Sequence, residues 1–76
     1  MVIINIRDEY IKLGQALKLA GLVGTGVEAK EAVHAGDVKV NGETEFQRGK
    51  KLYHGDVVEY DENSFQINSV IPKKQV

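Results

Sequence analysis

Apolar side chains recur along this chain with two different periods. Val2 to Ile6 reads Val-Ile-Ile-Asn-Ile, a β-branched run that predicts a short strand at the edge of a sheet. Tyr10, Leu13, Leu17 and Ala20 then recur at spacings of three and four, with Ala16 beside them, so one stripe of an amphipathic helix faces a core. Asp8 is placed to cap the start of that helix, and Gly21 to end it in a left-handed conformation. Lys12 and Lys18 fall off the stripe and stay in water. The loop Gly21-Leu22-Val23-Gly24-Thr25-Gly26 follows. Thr25, with Glu28 three residues on, forms a capping box for a second helix. Its face of Ala29, Ala32 and Val33 is small enough to pack closely on the first helix, while Lys30 and His34 share an outward or flanking face.

Beyond Gly36 the period shortens to two. Val38-Lys39-Val40 alternates as a half-buried strand does. Asn41-Gly42 favours a type I′ hairpin turn, because both residue types tolerate positive φ, and a return strand through Glu45 and Phe46 is expected. Arg48-Gly49-Lys50-Lys51 precedes Leu52, Tyr53 to Asp56 forms a turn, and Val57 to Tyr60 is a strand. A polar turn, Asp61-Glu62-Asn63-Ser64, leads to a last strand from Phe65 to Val70, with Pro72 and the tail Lys73 to Gln75 as a frayed end. The order strand, helix, helix, small antiparallel sheet describes an α+β domain.

A chain of 76 residues fits one domain and one thin core, so residues 1–76 are expected to act as a single module. The absence of cysteine excludes disulfides and thiolate metal sites. The apolar start, Met1 to Ile4, is far too short for a membrane span, so no membrane partner is expected and the default location is cytoplasmic. A net charge of −1 argues on its face against a nucleic-acid partner. Its distribution changes that picture: Lys12 to Lys51 holds seven basic residues against five acidic, and the flanks hold three against six. Such an asymmetry permits a basic face on an acidic body.

Several of these segments match a known pattern in order and spacing. They are Leu17 through Gly21-Leu22, Glu28-Ala29-Lys30, Gly36-Asp37-Val38-Lys39-Val40-Asn41-Gly42, and Leu52 to Gly55-Asp56-Val57-Val58. Together they resemble the S-four (alpha-L) RNA-binding domain family over about residues 10 to 60, and most of all its stand-alone bacterial members. The most specific part is G-x-V-x-V-N-G followed by L-x-x-G-D, with Gly55 thirteen residues after Gly42. The resemblance implies two packed helices followed by a small antiparallel sheet, here with an added N-terminal strand. It also implies structured RNA, ribosomal or transfer, as partner, and through it ribosomal particles. RNA contact is carried onto Thr25, Lys30, Lys39, Asn41 and Gly42, with Gly26 beside them at the start of the second helix. The family usually has a Ser-Arg pair there; Thr25-Gly26 keeps the hydroxyl and lacks the arginine. Lys12, Lys18, Arg48, Lys50 and Lys51 are added on charge alone.

The physical case rests on the start of the second helix, where unpaired N–H groups and the positive end of the helix dipole suit a phosphate oxygen. Lys30 and Lys39 are expected to border the same anion, with Asn41-Gly42 at the rim. Read from composition, the glycine-rich loop is a plain interhelical turn without the spacing of a nucleotide-binding loop, and the resemblance alone favours an anion site. The lysines are solvated charges on one reading and phosphate contacts on the other. Asn41-Gly42 is explained by its turn. His34 and His54 lack a third ligand, so no metal is expected. Tyr10, Phe46, Tyr53, Tyr60 and Phe65 read as core and sheet packing rather than a base-stacking platform.

No nucleophile with its base and no paired acid and base stand out, so neither catalysis, a cofactor nor a small-molecule substrate is expected. Two functions remain: an RNA-binding module serving ribosome assembly or translation, and a protein-protein adaptor whose RNA face is vestigial.

Overall fold

The computed structural model describes residues 1–71; the expected frayed end from Pro72 lies outside them. In chain order the elements are β1 (Val2–Ile6), β2 (Tyr10–Lys12), α1 (Leu13–Leu19), α2 (Gly26–His34), β3 (Val38–Val40), β4 (Glu43–Thr44), β5 (Lys51–Tyr53), β6 (Val57–Tyr60) and β7 (Asn63–Ser69). Five strands form one sheet in the order β1-β7-β6-β3-β4, and β2 and β5 form a separate ribbon. The sheet is mixed rather than antiparallel throughout: β1 is the expected edge strand, but it runs parallel to β7, from Val2 opposite Phe65 to Ile6 opposite Ser69.

The core is shared by the helices and the sheet. Leu13, Ala16, Leu17, Ala29 and Val33 from the helices meet Val38, Leu52, Val58, Phe65 and Ile67, every one of them at most 1% exposed. Alanine at 16 and 29 lets α1 and α2 approach closely, as the small-residue face predicts. The second helix starts as its sequence dictates: the Glu28 N–H donates to Thr25 Oγ1 at 3.1 Å, and the Glu28 carboxylate accepts from the Gly24 N–H at 3.2 Å. Gly21 and Gly36, at φ 75° and 80°, follow the two helices in the left-handed conformation that glycine tolerates.

The first helix begins later than its pattern suggests. Asp8 is not its cap; Lys12 occupies that position without a side-chain hydrogen bond, and Tyr10 to Lys12 are extended. The reason is non-local. β5 pairs with this stretch, Tyr10 opposite Tyr53 and Lys12 opposite Lys51, and main-chain carbonyls of the segment before β5 replace the missing cap. The Leu13 N–H donates to the Lys50 carbonyl at 2.8 Å and the Gly14 N–H to the Arg48 carbonyl at 3.0 Å.

Two further expectations need correction. The return strand after Asn41-Gly42 stops at Thr44, since the Glu45 carboxylate accepts the Gln47 N–H at 3.1 Å and turns the chain. Phe46 is therefore 59% exposed, lying over Gly36 rather than in the core. The polar turn before the last strand is only Asp61-Glu62, both with positive φ (52° and 67°), so β7 already begins at Asn63.

Candidate nucleic-acid interface

The same backbone bonds that cap α1 hold the basic segment after Gln47 against it, and α2 packs on α1 from another side. Between them lies an open depression of about 260 Å³. Lys12, Lys18 and Arg48 line it together with Gln15, and Gly26 brings in the first turn of α2. Gly14, Ala29 and Gly49 complete the wall. Lys12 is contributed by the end of β2, Lys18 by the last turn of α1, and Arg48 by the loop before β5. Among the described residues, none of these cations has a carboxylate within ion-pair distance. The arrangement offers a guanidinium, two ammonium groups and a helix start to an anionic ligand.

The charge around this depression is held in an unfavourable arrangement. Lys12 stands directly across the ribbon from Lys51, a like-charge pair that destabilises strand pairing. Lys51 gains some relief from an aromatic ring, its Nζ lying 4.7 Å from the centroid of Tyr10. Tyr10 in turn packs against Tyr53 with ring centroids 5.9 Å apart. Tyr10 is thus a surface aromatic, packed as the ribbon requires and not part of a helix stripe. On its other side Lys12 borders Asp8 and Glu9, where the basic surface ends.

The sequence-derived residues divide among several places. Lys12, Lys18, Gly26 and Arg48 come together, and Thr25 caps the adjacent helix start. Lys30 is exposed on α2 outside the depression, and Lys50 and Lys51 are exposed beside it. Lys39 lies elsewhere. It lines a different depression with Asp37, Glu59, Asp61 and Glu62, so the expected border of one anion by Lys30 and Lys39 is not what the fold builds. The reason is register: Lys39 pairs with Glu59 on β6, a strand that ends in the acidic Asp61-Glu62 turn.

Asn41 and Gly42 form the expected turn, with φ of 53° and 85°. The Asn41 side chain is engaged internally: it donates to the Asp56 carboxylate at 3.1 Å and accepts the Val57 N–H at 2.9 Å. Gly14, Gln15 and Gly49 were not foreseen. Gly14 alone left a trace in the sequence, as a glycine interrupting an amphipathic helical stripe.

Among the described residues, no group of three His, Asp or Glu side chains is placed to hold a metal ion, and no helix is long and apolar enough to cross a membrane.

Comparison with known families assigns the chain as a whole. A family model described as the S4 domain matches residues 4–68, nearly the whole described chain. The chain belongs to the S4 domain family. Its S4 relatives include the probable ribosome maturation protein RlbA of Bacillus subtilis, 48% identical over 65 residues that cover 84% of this chain and 92% of that protein. The putative RNA-binding protein YbcJ of Escherichia coli is 34% identical over 61 residues, covering 80% of this chain and 87% of YbcJ. Both relatives are therefore S4 domains with little else attached. Among solved structures, the 30S ribosomal protein S4e of Thermoplasma acidophilum superposes with a TM-score of 0.60 at 25% identity over 79% of this chain. The S4 chain described here spans 32% of that larger protein. The likeness supports the observed α+β arrangement of two helices and a sheet.

Proposed function

We propose that this chain is a non-catalytic RNA-binding module that grips the backbone of structured RNA, ribosomal or transfer, with the depression between α1, α2 and the loop before β5. One observation carries the reading: Lys12, Lys18 and Arg48 converge beside the start of α2, and among the described residues none of the three is ion-paired. Phosphate binding is driven by neutralisation and counterion release, so a local cluster of this kind outweighs the net charge of −1 on the whole chain.

The finer reading takes residues 1–76 as one alpha-L domain, with α1, α2 and the loop before β5 as its RNA-facing side. The names of RlbA and S4e, ribosome maturation protein and 30S ribosomal protein, support a role in ribosome assembly or translation in the cytoplasm. Thr25, Lys30, Lys50 and Lys51 are placed at the margin of the contact, where they add charge or hold the helix start. Lys39, Asn41 and Gly42 stand outside the depression and contribute less. A surface of helix start and loops reads backbone and shape more than base sequence, so weak sequence preference is expected.

Titration of a structured RNA at increasing salt tests the proposal. With about three phosphate contacts, log K falls against log salt with a slope of about −2 to −3. No binding, or binding indifferent to salt, contradicts it. The edge strand β1 favours one alternative, a protein adaptor with a vestigial RNA face, since Val2 and Ile3 are 58% and 48% exposed and the strand carries no charge. Co-purification of a protein partner that survives ribonuclease treatment supports that alternative.

A further inference from the structure

Gly14 occupies the second position of α1 and is buried, although a glycine inside a helix is destabilising relative to alanine. The structure shows what alanine would meet there. A Cβ at position 14 would lie 2.6 Å from Cγ and 3.1 Å from Cδ of Arg48. The first distance is a clash. The Arg48 main-chain carbonyl oxygen would stand 3.7 Å away, an ordinary contact. Docking of the backbone before β5 onto α1 therefore does not require glycine; the path of the arginine stem across the helix does.

The Arg48 backbone is held in place, because its carbonyl accepts the Gly14 N–H at 3.0 Å and the Lys50 carbonyl accepts the Leu13 N–H at 2.8 Å, so an added Cβ at position 14 has to displace the arginine stem itself. Its side chain leads into the depression that Gly26 also lines. Position 26 itself offers no side chain there, so among the described residues lining the depression Arg48 alone presents a planar guanidinium fork to an anion.

We propose that Gly14 is a positioning residue which seats Arg48 across α1, and that the seated guanidinium grips an RNA phosphate with two parallel hydrogen bonds while Lys12 and Lys18 act as point charges. This deepens the RNA-binding reading above and rests on it. A guanidinium matches two phosphate oxygens at once, whereas an ammonium group cannot, and a stem held in place loses less freedom on binding. The ligand chemistry is a phosphodiester of structured RNA.

The test uses the full chain and one structured RNA hairpin, with affinity measured across a range of salt. Arg48→Lys retains the charge, so its salt slope should match the unmodified chain while affinity falls about 10-fold or more, the loss expected for a charge-assisted hydrogen bond. Gly14→Ala should lower affinity by a similar factor, and the double variant Gly14→Ala, Arg48→Lys should be little worse than either alone, since both remove one grip. Arg48→Lys binding like the unmodified chain overturns the proposal, as does a folded Gly14→Ala variant with unchanged affinity. Additive losses in the double variant also overturn it. If circular dichroism shows Gly14→Ala to be unfolded, Arg48→Lys decides alone. Salt-independent or absent binding by the unmodified chain defeats the RNA reading itself, a result separable from failure of the seating.

Discussion

The carboxamide of Asn41 donates to the carboxylate of Asp56 at 3.1 Å and ties two tight turns together. Asn41 also accepts the Val57 N–H at 2.9 Å, just beyond the second turn, while Asp56 accepts the Tyr53 N–H at 2.7 Å within its own turn. The two motifs that look most specific in the sequence, one ending in Asn41-Gly42 and the other in Gly55-Asp56, are thus halves of one latch. Replacing Asn41 with glycine keeps a residue that tolerates the φ of 53° but removes the latch. Loss of these side-chain bonds should cost about 1 to 3 kcal/mol, a fall in melting temperature of at least about 4 °C for a domain this small. Thermal unfolding followed by circular dichroism checks this, and Asn41→Gly should retain RNA binding once folded.

The threonine cap makes a local prediction. Thr25→Ala removes the acceptor for the Glu28 N–H and should destabilise the domain by about 1 kcal/mol, while Thr25→Ser should be close to neutral. Denaturant unfolding at constant m-value measures the difference.

The Asp61-Glu62 turn predicts a gain. Both residues sit at positive φ without glycine's freedom, and left-handed backbone costs other residues about 1 to 2 kcal/mol each. Glu62→Gly should therefore stabilise the chain, by about 1 kcal/mol after the added entropy of the unfolded glycine is subtracted. A rise in melting temperature is the expected readout.

Charge placement separates the lysines. Lys18→Ala should weaken RNA binding and reduce the salt slope by about one, because one phosphate contact is lost. Lys39→Ala should leave the slope unchanged, since Lys39 is surrounded by Asp37, Glu59, Asp61 and Glu62. The pair of titrations distinguishes a contact from a general change in net charge, which is the same in both variants.

Much of the fold was legible because its signals are local. The Thr25 cap, the small face of Ala29, Ala32 and Val33, and the Asn41-Gly42 turn each act over a few residues and form as read, although Glu28 reaches back one residue further than a capping box requires, to the Gly24 N–H. What the sequence hid depends on partners distant along the chain. Tyr10 to Lys12 carries a helical spacing yet forms a strand, because Lys51 to Tyr53 pairs with it. The site shows the same division: Lys12, Lys18 and Arg48 were identifiable as cations, but their convergence depends on the Arg48 and Lys50 carbonyls capping α1. Lys39 alternates correctly with Val38 and Val40, and only the register with Glu59 shows that it faces acid.

Mapping backbone amide shifts in the full chain by nuclear magnetic resonance, as a structured RNA hairpin is added, tests the central claim most directly. Perturbation should concentrate at Lys12 to Lys18, Thr25 to Gly26 and Arg48 to Gly49, and should fade as salt is raised. Shifts centred instead on Lys39 and the Asp61-Glu62 turn, with the first group unmoved, would contradict the account.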